Sequence, residues 1–167
     1  MTGDRHDHAL AAAERYQDAA RAALAARAAP HGRIDAAALD THQFAAHGFA
    51  WIASTVAGLR ALLGWRERLS ATGGLGERDA LVADLGAAEL LVQLGTGIAM
   101  SQGESARPAD LGLAAEASAL LADAAVARLV AAATPAGTPP RIQELKLSKV
   151  PTAWNRTSPP FGAAGSA

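Results

Sequence analysis

Apolar residues recur at steps of three and four along most of this chain, the spacing that gathers them on one face of a helix. In a first segment, about 7–28, Leu10, Ala13, Tyr16, Ala20 and Leu24 share a face, while Glu14, Arg15, Asp18 and Arg21 lie elsewhere. Asp7 is the candidate N-cap, and Pro30, His31 and Gly32 end the helix. A second segment, about 36–70, opens at the candidate N-cap Asp35 and meets no stop signal before Ser70, Thr72, Gly73 and Gly74. Phe44, Gly48, Trp51, Thr55, Leu59, Leu62 and Arg66 form its stripe, widened by Ile52, Val56 and Leu63. At about 1.5 Å per residue it would be on the order of 50 Å long, so a bend or separation is expected near Asp40 and Thr41. A third helix, about 77–100, presents Leu81, Leu85, Ala88, Val92 and Gly95 along one stripe and Leu90, Leu91, Leu94 and Ile98 beside it, with Gly95 and Gly97 weakening its end. Pro108 and Asp110 suit the first turn of a fourth, about 109–134, whose apolar side is Leu113, Leu120, Leu121, Ala124, Val126, Leu129 and Val130. Short links between four such helices predict an all-α fold, an antiparallel four-helix bundle over residues 1–134.

Composition supports that class. Half of the 167 residues are apolar, enough for one sizeable core, and aromatics are only 4%, with Ala the commonest residue. Gly48, Gly58 and Gly64 each carry a helix penalty of nearly 1 kcal/mol, which suits positions where another helix approaches closely. After Thr134 the character changes: Pro135, Pro139, Pro140, Pro151, Pro159 and Pro160 crowd a tail, 135–167, in which only Arg141 to Leu147 is compatible with a helix. That tail is expected to be largely disordered, with Trp154 as a residue that could dock on the bundle or on a partner.

Charge narrows the function. A net charge of −1 with acids and bases interspersed offers no footprint for nucleic acid or an anionic membrane surface. The longest uncharged run, Phe44 to Leu59, is shorter than the roughly 20 residues a membrane-spanning helix needs. The N-terminus carries charge and His where an export signal would be apolar, and the chain has no Cys, so a cytoplasmic protein is expected.

Candidate chemistry is sparse. His42 and His47 would diverge by about 140° around a helix, too far for an ordinary ligand pair, and His6 and His8 fall in an expected frayed terminus, so no metal site is expected. Gly95-Thr96-Gly97 lacks the third Gly and the preceding strand of a dinucleotide fingerprint, and the glycines from Gly73 to Gly76 lack the Lys of a phosphate loop. Ser101 and Ser105 have no His–Asp arrangement beside them. Glu89 and Gln93 lie one turn apart in an otherwise apolar helix, either as a polar stripe, as a hydrogen-bond pair with His47 or Arg60, or with Trp51 as the wall of a pocket or interface. No residue is assigned to catalysis or to cofactor binding.

Two segments carry a resemblance. HQFAAHGFAWIASTVAGLRALLGW from His42, followed after Glu89 and Gln93 by MSQGESARPADLG from Met100 to Gly112, resembles the helical N-terminal extension of the methylsuccinyl-CoA dehydrogenases, which are acyl-CoA dehydrogenase-like flavoproteins. The likeness runs from about Arg33 to Gly112 and loosely through the fourth helix. It implies FAD, and oxidation of (2S)-methylsuccinyl-CoA to mesaconyl-CoA in the ethylmalonyl-CoA pathway, for the full-length family. The family's catalytic glutamate, flavin-binding domain and acyl-CoA pocket lie C-terminal to the matched region, so none is carried onto a residue here. The resemblance therefore implies an accessory or assembly domain, inactive alone, that packs against a dehydrogenase core or a neighbouring subunit; self-association into a homo-oligomer is also compatible with its small-residue helices. A stand-alone helical binding module, with a cleft beside Trp51 and Glu89, is the alternative.

Overall fold

A computed structural model describes residues 2–133; the expectations for the tail, Trp154 included, lie outside the described residues. Seven helices occur among them: α1 (Thr2–Ala28), α2 (Ala36–Thr41), α3 (Gln43–Ala71), α4 (Glu77–Thr96), α5 (Pro108–Leu111), α6 (Ala114–Ala122) and α7 (Ala124–Ala133). Two strands of two residues, β1 (Ile98–Ala99) and β2 (Ser105–Ala106), pair antiparallel between α4 and α5. The fold is all-α, with this one hairpin among the described residues. No described helix is long and apolar enough to cross a membrane.

α1 and α3 run antiparallel, since Glu14 meets Arg60 while His6 and Leu10 face Leu63, Arg66 and Ser70 across a cleft. α3 and α4 do the same, with Leu62 against Gly86 and Arg66 against Asp84. α6 and α7 close the remaining side by packing on both α1 and α4. The core between them includes Tyr16, Ile52, Val56, Leu59, Leu91, Leu94, Leu120, Val126 and Leu129, with Ala9, Ala13, Ala87, Ala117 and Ala125 among them. Many of its members are alanines, which lets the helices approach closely.

The element bounds depart from the sequence expectations at four places. α1 begins at Thr2, so Asp7 stands inside the helix rather than capping it, and His6 is a core residue at 4% exposure rather than part of a frayed end. The long second helix separates at His42, just after the bend expected near Thr41; Asp35 does cap α2, accepting the Ala38 N–H at 2.9 Å. α4 stops at Thr96 because Gly97 takes φ 138°, a backbone conformation that side-chain-bearing residues rarely adopt. The expected fourth helix is three pieces. Gly112 turns left-handed at φ 76°, and Asp123 caps α7 through its carboxylate, accepting from Ala125 N–H at 2.9 Å. An Asp inside an apolar run had local backbone donors to satisfy, and the helix starts again there.

The buried stripe of α3 keeps Gly48, Ile52, Thr55, Val56, Leu59 and Leu63 of the expected one but not its two aromatic residues. Ala45, Gly48, Ile52, Thr55, Val56, Leu59 and Leu63 face the core, whereas Phe44 and Trp51 lie on the outside at 44% and 37% exposure.

Candidate functional site

The two segments that carry the family resemblance meet in space. After β2, Pro108 starts α5, Gly112 reverses the chain, and the Leu113 N–H closes the turn on the Pro108 carbonyl at 2.8 Å. That turn aims Leu111 and Ala106 at α3. A Cβ on Gly48 would lie 3.1 Å from Leu111 Cδ2 and 3.3 Å from Ala106 Cβ, so the missing side chain is the seat for the turn. Arg27 at the end of α1 donates to the Leu111 carbonyl at 3.0 Å, which ties α1 to the same place. The segment from Met100 to Gly112 is thus held by packing on Gly48, by the Arg27 hydrogen bond and by the pairing of β2 with β1.

Glu89 and Gln93 line an open depression of roughly 590 Å³, together with Leu85, Ala88, Val92, Val130 and Ala133. The Gln93 amide donates to Glu89 Oε1 at 3.4 Å, a long bond between neighbouring turns. Trp51 is not among the lining residues; it stands on the outer face of α3, where its indole N–H donates to His47 Nε2 at 2.9 Å. The three residues expected to share a pocket are therefore not brought into one. The depression is a shallow apolar surface with one carboxylate on it. It suits a partner's apolar side chains better than an enclosed substrate.

The strongest electrostatic site lies elsewhere and was missed in the sequence. Asp84 of α4 accepts from Arg5 at 2.6 Å and pairs with His6 Nε2 at 2.7 Å, both from α1, and Arg66 Nε of α3 lies 3.7 Å away. Burial raises the affinity of this carboxyl for its proton. The His6 hydrogen bond, then Arg5, then the charges of His6 and Arg66, together outweigh burial and hold Asp84 below the usual carboxylate range. The buried Nε atoms of Arg5 and Arg66 have no hydrogen-bond acceptor of their own. One carboxylate thus joins three helices. Arg66 was the available signal: a guanidinium on an apolar stripe requires an acid from another helix, but its partner is not deducible from spacing.

The cleft beside this cluster, roughly 210 Å³, is lined by His6, Leu10, Arg60, Leu63, Arg66 and Glu67 among others. A second, roughly 160 Å³, holds Tyr16 with Arg15 and Glu116. Burial, and secondarily the Glu116 charge, push the Tyr16 phenol up to about 12, so it stays protonated and cannot serve as a base near neutral pH.

The flavin implied by the resemblance does not fit the described residues. Pyrophosphate needs cationic or backbone donors free to face it, yet the guanidinium groups at the clefts are engaged: Arg5 and Arg66 with Asp84, Arg60 with Glu14, and Arg15 with Asp123. The larger depression is predominantly apolar. No group of three or more His, Asp or Glu among the described residues could hold a metal ion.

No family model matches the chain. It is 40% identical over 105 residues to (2S)-methylsuccinyl-CoA dehydrogenase of Cereibacter sphaeroides, a match that takes in 63% of this chain and 19% of that protein. The chain thus spans about a fifth of the length of this relative. The resemblance to the methylsuccinyl-CoA dehydrogenases is in this way borne out, and the chain is similar to one part of such an enzyme.

Proposed function

We propose that this chain is the N-terminal accessory or assembly region of an FAD-dependent acyl-CoA dehydrogenase of the methylsuccinyl-CoA type. In this reading residues 1–134 form one bundle-like domain, in which α1, α3, α4 and the pair α6–α7 take the four helix positions. The domain positions or assembles; oxidation of methylsuccinyl-CoA to mesaconyl-CoA, and the FAD that accepts the electrons, belong to a dehydrogenase core or neighbouring subunit. The cytoplasm is the proposed compartment.

The observation that carries the reading is the 40% identity to a dehydrogenase over a stretch that makes up only 19% of it. The polar geometry agrees with it. Asp84, Glu14 and Asp123 are each paired with arginines of another helix, so these carboxylates serve the bundle rather than a substrate. Anaerobic mixing of the purified chain with FAD and (2S)-methylsuccinyl-CoA tests it. The flavin absorbance is expected to remain oxidised, and bleaching would refute the reading. In a second measurement, the Cereibacter sphaeroides relative trimmed of its matched stretch is mixed with this chain; co-elution is expected, and independent elution would remove the assembly role.

A further inference from the structure

The outer face of α3 is unpartnered among the described residues and carries a pattern that packing among them does not explain. Phe44, His47, Trp51, Ser54, Gly58 and Ala61 are all exposed, and they alternate steps of three and four along one side of the helix. Every helix face has that spacing; what sets this one apart is that none of these positions carries an acid or a Lys/Arg, as a solvated face ordinarily would. Arg60 carries the one charge between Phe44 and Ala61, and it lies on the opposite side of the helix from Trp51, held by Glu14 of α1.

Gly58 is the second observation. A Cβ on Gly48 would meet Leu111, and on Gly86 or Gly95 it would press on Leu62 or Leu121 at 2.9 and 2.5 Å, so those three helical glycines have a reason inside the chain. A Cβ on Gly58 would meet nothing within 4 Å. The glycine weakens the helix and nothing within the described fold requires it.

The seam is also complementary to itself. Its three large side chains, Phe44, His47 and Trp51, occupy the N-terminal half, and its three small ones, Ser54, Gly58 and Ala61, the C-terminal half. Large and small positions are equally distant from the midpoint between Ile52 and Ala53. A twofold axis there sets Phe44 against the partner's Ala61, His47 against the partner's Gly58, and Trp51 against the partner's Ser54, each of these contacts being made twice. The face between them is uncharged and so meets its own copy without like-charge repulsion. The Trp51 indole N–H enters the contact already bonded to His47, so its burial leaves no orphaned donor.

We infer that α3 pairs antiparallel with α3 of a second copy of this chain, the aromatic half of each seam seated on the small-residue half of the other. The inference rests on this geometry and not on the proposed dehydrogenase role, which stands or falls by the flavin and co-elution measurements.

Sedimentation equilibrium on the full chain is expected to give twice the 16.9 kDa monomer mass at micromolar concentration. Gly58→Leu places a side chain where the described fold leaves open space, so the variant folds, yet it fills the seat of the partner's His47; its dimer dissociation constant is expected to rise at least about tenfold, as for other residues central to an interface. The chain has no Cys, so introduced thiols report the register directly. Phe44→Cys combined with Ala61→Cys is expected to oxidise to a covalent dimer, and Phe44→Cys alone is not. A monomeric mass at these concentrations, a dimer unaffected by Gly58→Leu, or cross-linking by Phe44→Cys alone would each overturn the pairing.

Discussion

Replacing Asp84 by Ala should be among the most damaging single changes to this fold, although the residue is neither large nor fully buried. The substitution removes the acceptor of the Arg5 bond at 2.6 Å and of the His6 bond at 2.7 Å, and the counter-charge of Arg66 at 3.7 Å. Two bonds to a charged group contribute about 1.5–3 kcal/mol each in favourable cases. Asp84 is a quarter exposed, so water screens part of that and the lower end applies. Two cations are then left near each other without an anion, as when one partner of a buried pair is deleted. The expected loss is about 3 kcal/mol, read as a shift of the urea midpoint followed by circular dichroism. For a domain of this size it corresponds to on the order of 10 °C in Tm.

The pH dependence gives an independent check on the cause. The folded carboxyl titrates below its unfolded value, so the stability it contributes is fully present above about pH 4 and is lost as pH falls through the lower, folded value. The gap between the parent and Asp84→Ala should therefore be constant from pH 7 to about 5 and should narrow below about 4. A loss under about 0.5 kcal/mol at pH 7, the size of an ordinary surface change, or a gap of unchanged size at low pH, would refute the ion-pair account.

Three other outcomes follow from the same packing. Tyr16 is the single tyrosine of the chain, so phenolate absorbance near 295 nm reports it alone; the folded protein is expected to titrate at about 12 rather than 10, and the stability gained from the neutral phenol should fade as pH rises between those values. Gly95→Ala puts a Cβ 2.5 Å from Leu121 Cγ, and despite the better helix propensity the variant should lose about 1–3 kcal/mol in chemical denaturation, an unchanged midpoint being the contrary result. Leu59→Ala removes a fully buried side chain from the centre of α3 and should cost about 2–5 kcal/mol, measured the same way, with a smaller loss indicating that the site collapses around the gap.

Much of the fold was legible in the residues because helix periodicity is a local property. The stripe of α1, the cap at Asp35 and the stops at Gly32 and Gly73 follow from spacing and backbone preference alone, whereas on α4 the buried face is Ala83, Ala87, Ala88, Leu91 and Leu94 and the expected Leu81, Leu85 and Val92 are only half-buried. The family resemblance was legible for a similar reason, since it resides in two contiguous segments. The expected stripe on α3 grouped Phe44 and Trp51 with Thr55 and Leu59, and only the neighbouring helices decide that Thr55 and Leu59 face inward while Phe44 and Trp51 face out. Partnership was equally hidden. Arg5, His6 and Asp84 are separated by nearly eighty positions, and no spacing rule connects α1 to α4 across that distance. The sequence by itself determined that this protein is helical and which family it is similar to. Only the tertiary structure decided that Gly48 seats the turn at Leu111, that Asp84 joins three helices, and that no other described helix covers Phe44 and Trp51 on the outer face of α3, because each depends on which surfaces distant segments present to one another.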